Sequence, residues 1–189
     1  MNALMRGFRE NYLQTARDYA EAGCLEEAVA VLDQCGDGYP MLAYYRAYYL
    51  KGMGEAEKAA EECRRADACS PLYCFPNKLE DIAVLECASE LYPEGAMAYY
   101  YLGDLYYDKL QFERAVRLWE DASARRPDFP TVHRNLALAY FNKQGEAEKA
   151  RAEIEKAFAL DESDARVFLE LDQLYKKLEV DFETRLKNY

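Results

Sequence analysis

Tyr99 to Pro127 reads YYYLGDLYYDKLQFERAVRLWEDASARRP, and the period of its apolar residues decides the fold. Tyr99, Leu102, Gly103 and Tyr106 mark one helical face. After a break at Lys109 to Phe112, Ala115, Trp119 and Ala122 mark a second face, and Pro127 ends it. Two helices joined by so short a break fold back as a hairpin.

The order recurs along the chain. His133, Leu136, Ala137 and Tyr140, followed by Ala150, Ile154 and Ala157, repeat it with one extra residue in the NKQG turn. Phe168, Leu171, Asp172 and Tyr175 begin it again. Here Asp172 replaces the small residue that lets two helices approach closely, so looser packing is expected. Upstream, Leu42, Tyr45 and Tyr49 with Ala59, Cys63 and Ala66 form one hairpin; Tyr12, Ala16 and Tyr19 with Ala28, Leu32 and Cys35 form another. Between these and Tyr99 lies SPLYCFPN (70–77), where Pro71 and Pro76 each remove a backbone donor and bias the preceding residue away from helix. Only the second helix of that unit survives, over 78–92.

The hexapeptide GEAEKA stands at Gly54–Ala59 and again at Gly145–Ala150, 91 positions on. The repeat accounts for it as one turn used twice, one full and one half module plus a further module apart. Glycine permits the left-handed backbone that ends the first helix, and Glu-Ala-Glu-Lys-Ala starts the next with negative charge at its N-terminus. The resulting organisation is a single all-α array over 1–189: hairpins at about 9–40 and 41–71, the helix at 78–92, hairpins at 95–128 and 129–162, a terminal helix at 165–178 and a partial cap at 181–189.

The marker series aromatic-x2-Leu-Gly-x2-Tyr, then Ala-x3-aromatic-x2-Ala, then Pro, resembles the tetratricopeptide repeat (TPR), whose unit is about 34 residues. The resemblance implies a right-handed superhelical solenoid of hairpins in which each module buries its face against the next. YCFPNKLEDIAVLECA and the stretches after it also resemble the TPR-containing C-terminal half of large bacterial proteins headed by an uncharacterised domain expected to be β-rich. That likeness implies a bacterial, cytoplasmic setting and a link to carbohydrate metabolism through the other domain. Leu4, Met5 and Phe8 at one end, and DFETRLKNY (181–189) at the other, read as surfaces that further helices would cover, as in a piece of a longer protein.

Composition narrows the function classes. Lys and Arg number 24 against 35 Asp and Glu, and the net charge of -11 opposes binding to nucleic acid or an anionic membrane. No window approaches a membrane span, and MNALMRGFRE lacks the apolar core of a signal peptide. The six cysteines read as reduced small hydrophobes, with no C-x2-C pair to build zinc ligation. The single histidine, His133, falls on a packing slot, which leaves no nucleophile-base pair. Neither an enzyme nor a cofactor is expected.

In a TPR array the first helices line the concave face, so their unspent positions are the binding candidates. These are Tyr100, Asp104, Tyr107 and Asp108 in one module, Arg134, Leu138, Phe141 and Asn142 in the next, and Arg166, Gln173, Lys176 and Lys177 in the last. One end is aromatic and the other basic. Asp104 and Asp108, one turn apart, have the spacing to share a cation or act as acid and base, although Lys109 and Arg134 would more simply neutralise them. TPR co-chaperones grip a peptide carboxylate with a Lys, Arg and Asn clamp; Arg134, Asn142 and Arg166 are similar in kind, with Leu138 where an amide is expected. The expected function is a scaffold that binds a protein, a peptide or another domain of its own chain. The alternative is a structural tail of a carbohydrate-binding or carbohydrate-active protein.

Overall fold

The computed structural model describes residues 2–36 and 38–186, with side chains from residue 9 onward. Leu4, Met5, Phe8 and the last three residues of the expected cap therefore lie outside the described side chains. All regular structure among the described residues is helical, as the sequence period requires. The chain divides into two compact units, Met1–Leu102 and Gly103–Tyr189.

The first unit holds α1 (Asn2–Glu21), α2 (Leu25–Asp33), α3 (Pro40–Gly52), α4 (Ala56–Asp67), α5 (Leu79–Leu91) and the start of α6 (Met97–Asp108). Ala16, Ala28, Leu32, Leu42, Ala59, Cys63 and Ala66 are all buried. Small residues at these slots let the backbones come close, and each large apolar side chain buried contributes about 1.5–3 kcal/mol. Residues 68–78 are irregular. There Cys74 is buried while Leu72, Tyr73 and Phe75 are exposed, and Tyr73 sits at φ 63°. Asp81 restarts helix: its Oδ2 accepts the backbone N–H groups of Asn77 and Lys78, each at 3.0 Å, which satisfies donors that the first turn of α5 leaves free. α5 packs on both α3 and α4.

The second unit continues α6 and adds α7 (Phe112–Arg125), α8 (Pro130–Ala139), a π-helical turn (Tyr140–Gln144), α9 (Ala147–Leu160), α10 (Ala165–Lys177) and α11 (Phe182–Leu186). Ala115, Trp119, Ala122, Ala150, Ile154 and Ala157 are buried, so the second-helix markers are core. Tyrosine hydroxyls tie modules together: Tyr140 Oη donates to Glu120 and Tyr175 Oη to Glu155, both at 2.6 Å. Each bond joins a second helix to the next first helix.

The hairpin turns repeat one backbone device across both units. Gly54 has φ 82° and Gly145 φ 70°, and the residue after each returns a backbone bond to the preceding helix: Glu55 N–H to Leu50 O at 2.9 Å, Glu146 N–H to Tyr140 O at 3.0 Å. The second bond spans one residue more because the π-helical turn absorbs the insertion seen in NKQG. Leu110 (φ 63°) and Glu179 (φ 55°) hold the same place without glycine. Asp172, which stands where the other modules have a small residue, is accommodated by charge pairing. It is buried, and its carboxylate accepts from Lys176 Nζ at 2.6 Å and from Arg185 Nη2 of α11 at 2.9 Å. The pairing with Lys176, joined by Arg185, holds that carboxyl below its ordinary pKa against the opposing effect of desolvation.

Candidate ligand groove

In the second unit, α8, the π-helical turn, α9 and α10 enclose a notch of about 60 Å³. Five of the twelve sequence candidates line it: Leu138, Phe141, Asn142, Gln173 and Lys177. Phe129 and Pro130 start α8 with a fixed backbone angle and no donor to lose, which sets the helix register. The π-helical turn then widens the end of the helix and carries Phe141 and Asn142 into the notch wall. From the facing helix, Lys177 Nζ stands 4.9 Å from the Phe141 ring centroid, within reach of a cation-π contact.

Arg134 does not line the notch, although its partner Glu170 does. Its Nε and Nη2 donate to the two carboxylate oxygens of Glu170 at 2.7 and 2.5 Å, a bidentate pair that bridges α8 and α10. Both side chains are about four-fifths buried, so neither is a loose surface charge. Of Arg134, Asn142 and Arg166, only Asn142 lines the notch. Arg166 is exposed and its guanidinium pairs with Asp164, whose side chain caps the start of α10 by accepting the Arg166 N–H at 2.9 Å. Lys176 is held by Asp172. Of the four basic candidates, only Lys177 contributes to the notch.

Of the remaining candidates, Tyr100 and Tyr107 are spent on packing, Asp104 is held by hydrogen bonds, and Asp108 is exposed. Tyr100 is buried, with the Tyr101 ring 5.3 Å away. Tyr107 is half-buried, with its ring centroid 5.0 Å from Phe112 and 5.3 Å from Trp119. Asp104 Oδ1 accepts from Trp119 Nε1 and from Asn135 Nδ2, each at 3.1 Å, while Asp108 pairs with Lys109 at 2.8 Å. The two carboxylates thus have separate partners, neutral N–H donors for Asp104 and a cation for Asp108. Lys109 serves Asp108 as expected, but Arg134 goes to Glu170 because that carboxylate offers both oxygens to its planar fork.

His133 occupies its packing slot as expected, buried, with Nδ1 2.6 Å from Glu153 Oε2 and Nε2 2.9 Å from the Pro127 carbonyl oxygen. Both ring nitrogens face acceptors, an arrangement that favours the doubly protonated, cationic ring. The bond to Glu153 is the main cause of its raised pKa. Among the described residues, no group of three or more His, Cys, Asp or Glu side chains is placed to hold a metal ion. Likewise, none of the described helices is long and apolar enough to cross a membrane.

Sequence reasoning missed Glu170, and only its spacing of 36 residues from Arg134, close to one module, could have suggested the pair. It also missed a larger groove of about 690 Å³ in the first unit, lined by α1, α3 and α5. No sequence period signals a groove made by a missing helix.

Comparison with known proteins matches the repeat where it is clearest. The family model described as TPR repeat matches residues 103–144. Among solved structures, MamA 41-end from Desulfovibrio magneticus RS-1 is similar at a TM-score of 0.51 and 20% identity, over 95% of this chain and 90% of that one. A second MamA crystal structure is similar at 0.52 and 16% identity, over 92% and 89%. At such identities the likeness concerns the fold. The match at residues 103–144 and the shared fold make the chain similar to TPR-type arrays of helical hairpins.

Proposed function

We propose that this chain is a protein-binding scaffold whose second unit grips an extended peptide segment, from a partner or from another domain of the same chain, at the notch between α8 and α10. The observation that carries the reading is the convergence of Leu138, Phe141, Asn142, Gln173 and Lys177 on one opening of about 60 Å³. That volume is about two water molecules' worth at ~30 Å³ each, enough for the tip of one aliphatic side chain. Asn142 and Gln173 supply donors and acceptors for a peptide backbone. Lys177 favours an acidic residue beside the inserted one. The bidentate Arg134–Glu170 pair fixes the spacing of the two helices, so the opening is formed before a ligand arrives and less ordering is needed on binding.

Peptide display on the immobilised protein tests this. Selected peptides should share an aliphatic residue next to an acidic one, and should bind the Phe141→Ser, Lys177→Glu variant about tenfold or more weakly, with affinity falling as salt rises. Equal binding to both proteins would mean that another surface carries the interaction.

A further inference from the structure

Arg17 on α1 is 8% exposed, yet among the described residues it makes no ion pair. Its Nη2 donates to Gln14 Oε1 at 2.7 Å, its Nη1 lies 3.5 Å from Tyr45 Oη, and its guanidinium carbon stands 5.9 Å from the Tyr45 ring centroid. The nearest anion in this network is spent elsewhere. Asp81 accepts the Tyr45 hydroxyl on Oδ1 at 2.7 Å and two backbone N–H groups of the α5 start on Oδ2. The guanidinium, withdrawn from water and hydrogen-bonded only to neutral groups, feels Asp81 and Glu10 through space without a direct ion pair, and a carboxylate brought against it would add that pair.

Arg17 also lines the groove of about 690 Å³ in the first unit. Tyr45, Tyr48 and Tyr49 of α3 form one wall; Val84 and Cys87 of α5 form another. The volume falls in the range of small-molecule sites, ~300–1,000 Å³, whose walls are mostly apolar with a few placed polar groups. The rim carries Glu21, Glu80 and Lys51, all exposed, and Lys51 is paired with Glu90 at 2.8 Å. Two rim carboxylates and one interior cation disfavour a phosphate dianion, which calls for several donors, and favour a single negative charge on an apolar body.

We propose that this groove binds a small amphipathic carboxylate, an aliphatic or aryl-substituted acid whose carboxylate pairs with Arg17 and whose apolar body lies against Tyr48, Tyr49 and Val84. The site is independent of the notch in the second unit and does not rest on its reading.

The test is calorimetric titration with octanoate and 4-phenylbutyrate, set against their methyl esters and 4-phenylbutylamine. Both acids should bind the wild type, the esters and the amine about tenfold or more weakly, since losing one charged pair is worth about that factor. Arg17→Met should abolish acid binding and Arg17→Lys should keep part of it. Should Arg17→Met fail to fold, the ester comparison still decides, together with Tyr48→Ala, at a residue that is 39% exposed and outside the buried core. Tyr48→Ala should weaken both acids. Failure of either acid to bind at millimolar concentration, equal binding of acid, ester and amine, or acid binding unchanged by Arg17→Lys and Tyr48→Ala together would each overturn the proposal.

Discussion

A methyl group added at Gly103 would lie 2.4 Å from Cδ1 and Nε1 of Trp119, so the indole occupies the space that any side chain at 103 would need. This contact closes the central hairpin. It also aims the indole N–H at Asp104, 3.1 Å away.

Gly103→Ala should therefore destabilise the protein by about 1–3 kcal/mol, the usual cost of overpacking. The melting temperature should fall and Trp119 emission should shift to the red as the indole is pushed toward water. Trp119→Leu added to Gly103→Ala should recover part of the loss. An unchanged melting temperature for Gly103→Ala would refute the close approach.

Leu110 adopts φ 63° at the turn position held elsewhere by glycine, and its side chain is exposed. A left-handed conformation costs a side-chain-bearing residue about 1–2 kcal/mol, part of which the greater freedom of glycine in the unfolded chain cancels. Leu110→Gly should thus stabilise by about 0.5–1 kcal/mol in denaturant melts. Gly145→Ala, at φ 70°, should move stability the other way.

His133 and Glu153 set a pH window. His133 is raised above its ordinary 6.5, chiefly by the bond to Glu153, so its contribution is complete below 6.5 and is lost as pH climbs through the raised value. For Glu153, burial alone would raise the pKa; the bonds from His133 and Lys156 bring it below its ordinary 4.5, so its contribution is complete above 4.5 and is lost as pH falls through the lowered value. The pair stabilises most between pH 4.5 and 6.5. His133→Gln should cost about 1–2 kcal/mol there and less at pH 8 and above, flattening the stability profile; a constant cost across this range would refute a charged pair.

All six cysteines are free thiols. Burial pushes Cys63 and Cys74 up to about 12 and raises Cys87, while Cys24 and Cys69 are only half-buried. At pH 8, a thiol reagent should modify Cys24 and Cys69 quickly, and the other four only at the rate of unfolding. Denatured without reductant, the protein should release six thiols.

The period of apolar and small residues was enough to give the all-helical fold, because a slot such as Ala115 or Ala157 must be small wherever two helices touch, and that demand is written locally. The glycine turns were legible for the same reason: Gly54 and Gly145 answer to backbone angles within four residues. Even the broken module showed itself, since Pro71 and Pro76 act on their own neighbours. What the sequence could not determine was how each charged side chain is spent. Arg134 has acids on several faces within reach of its long stem, and only the packing of α8 on α10 gives it to Glu170 and leaves Lys177 over Phe141. Arg17 looks like any solvated helix charge until α3 and α5 close over it. Pairing of charges and the shape of grooves depend on residues a module or more apart in the chain, so tertiary packing alone decided which candidates became a site.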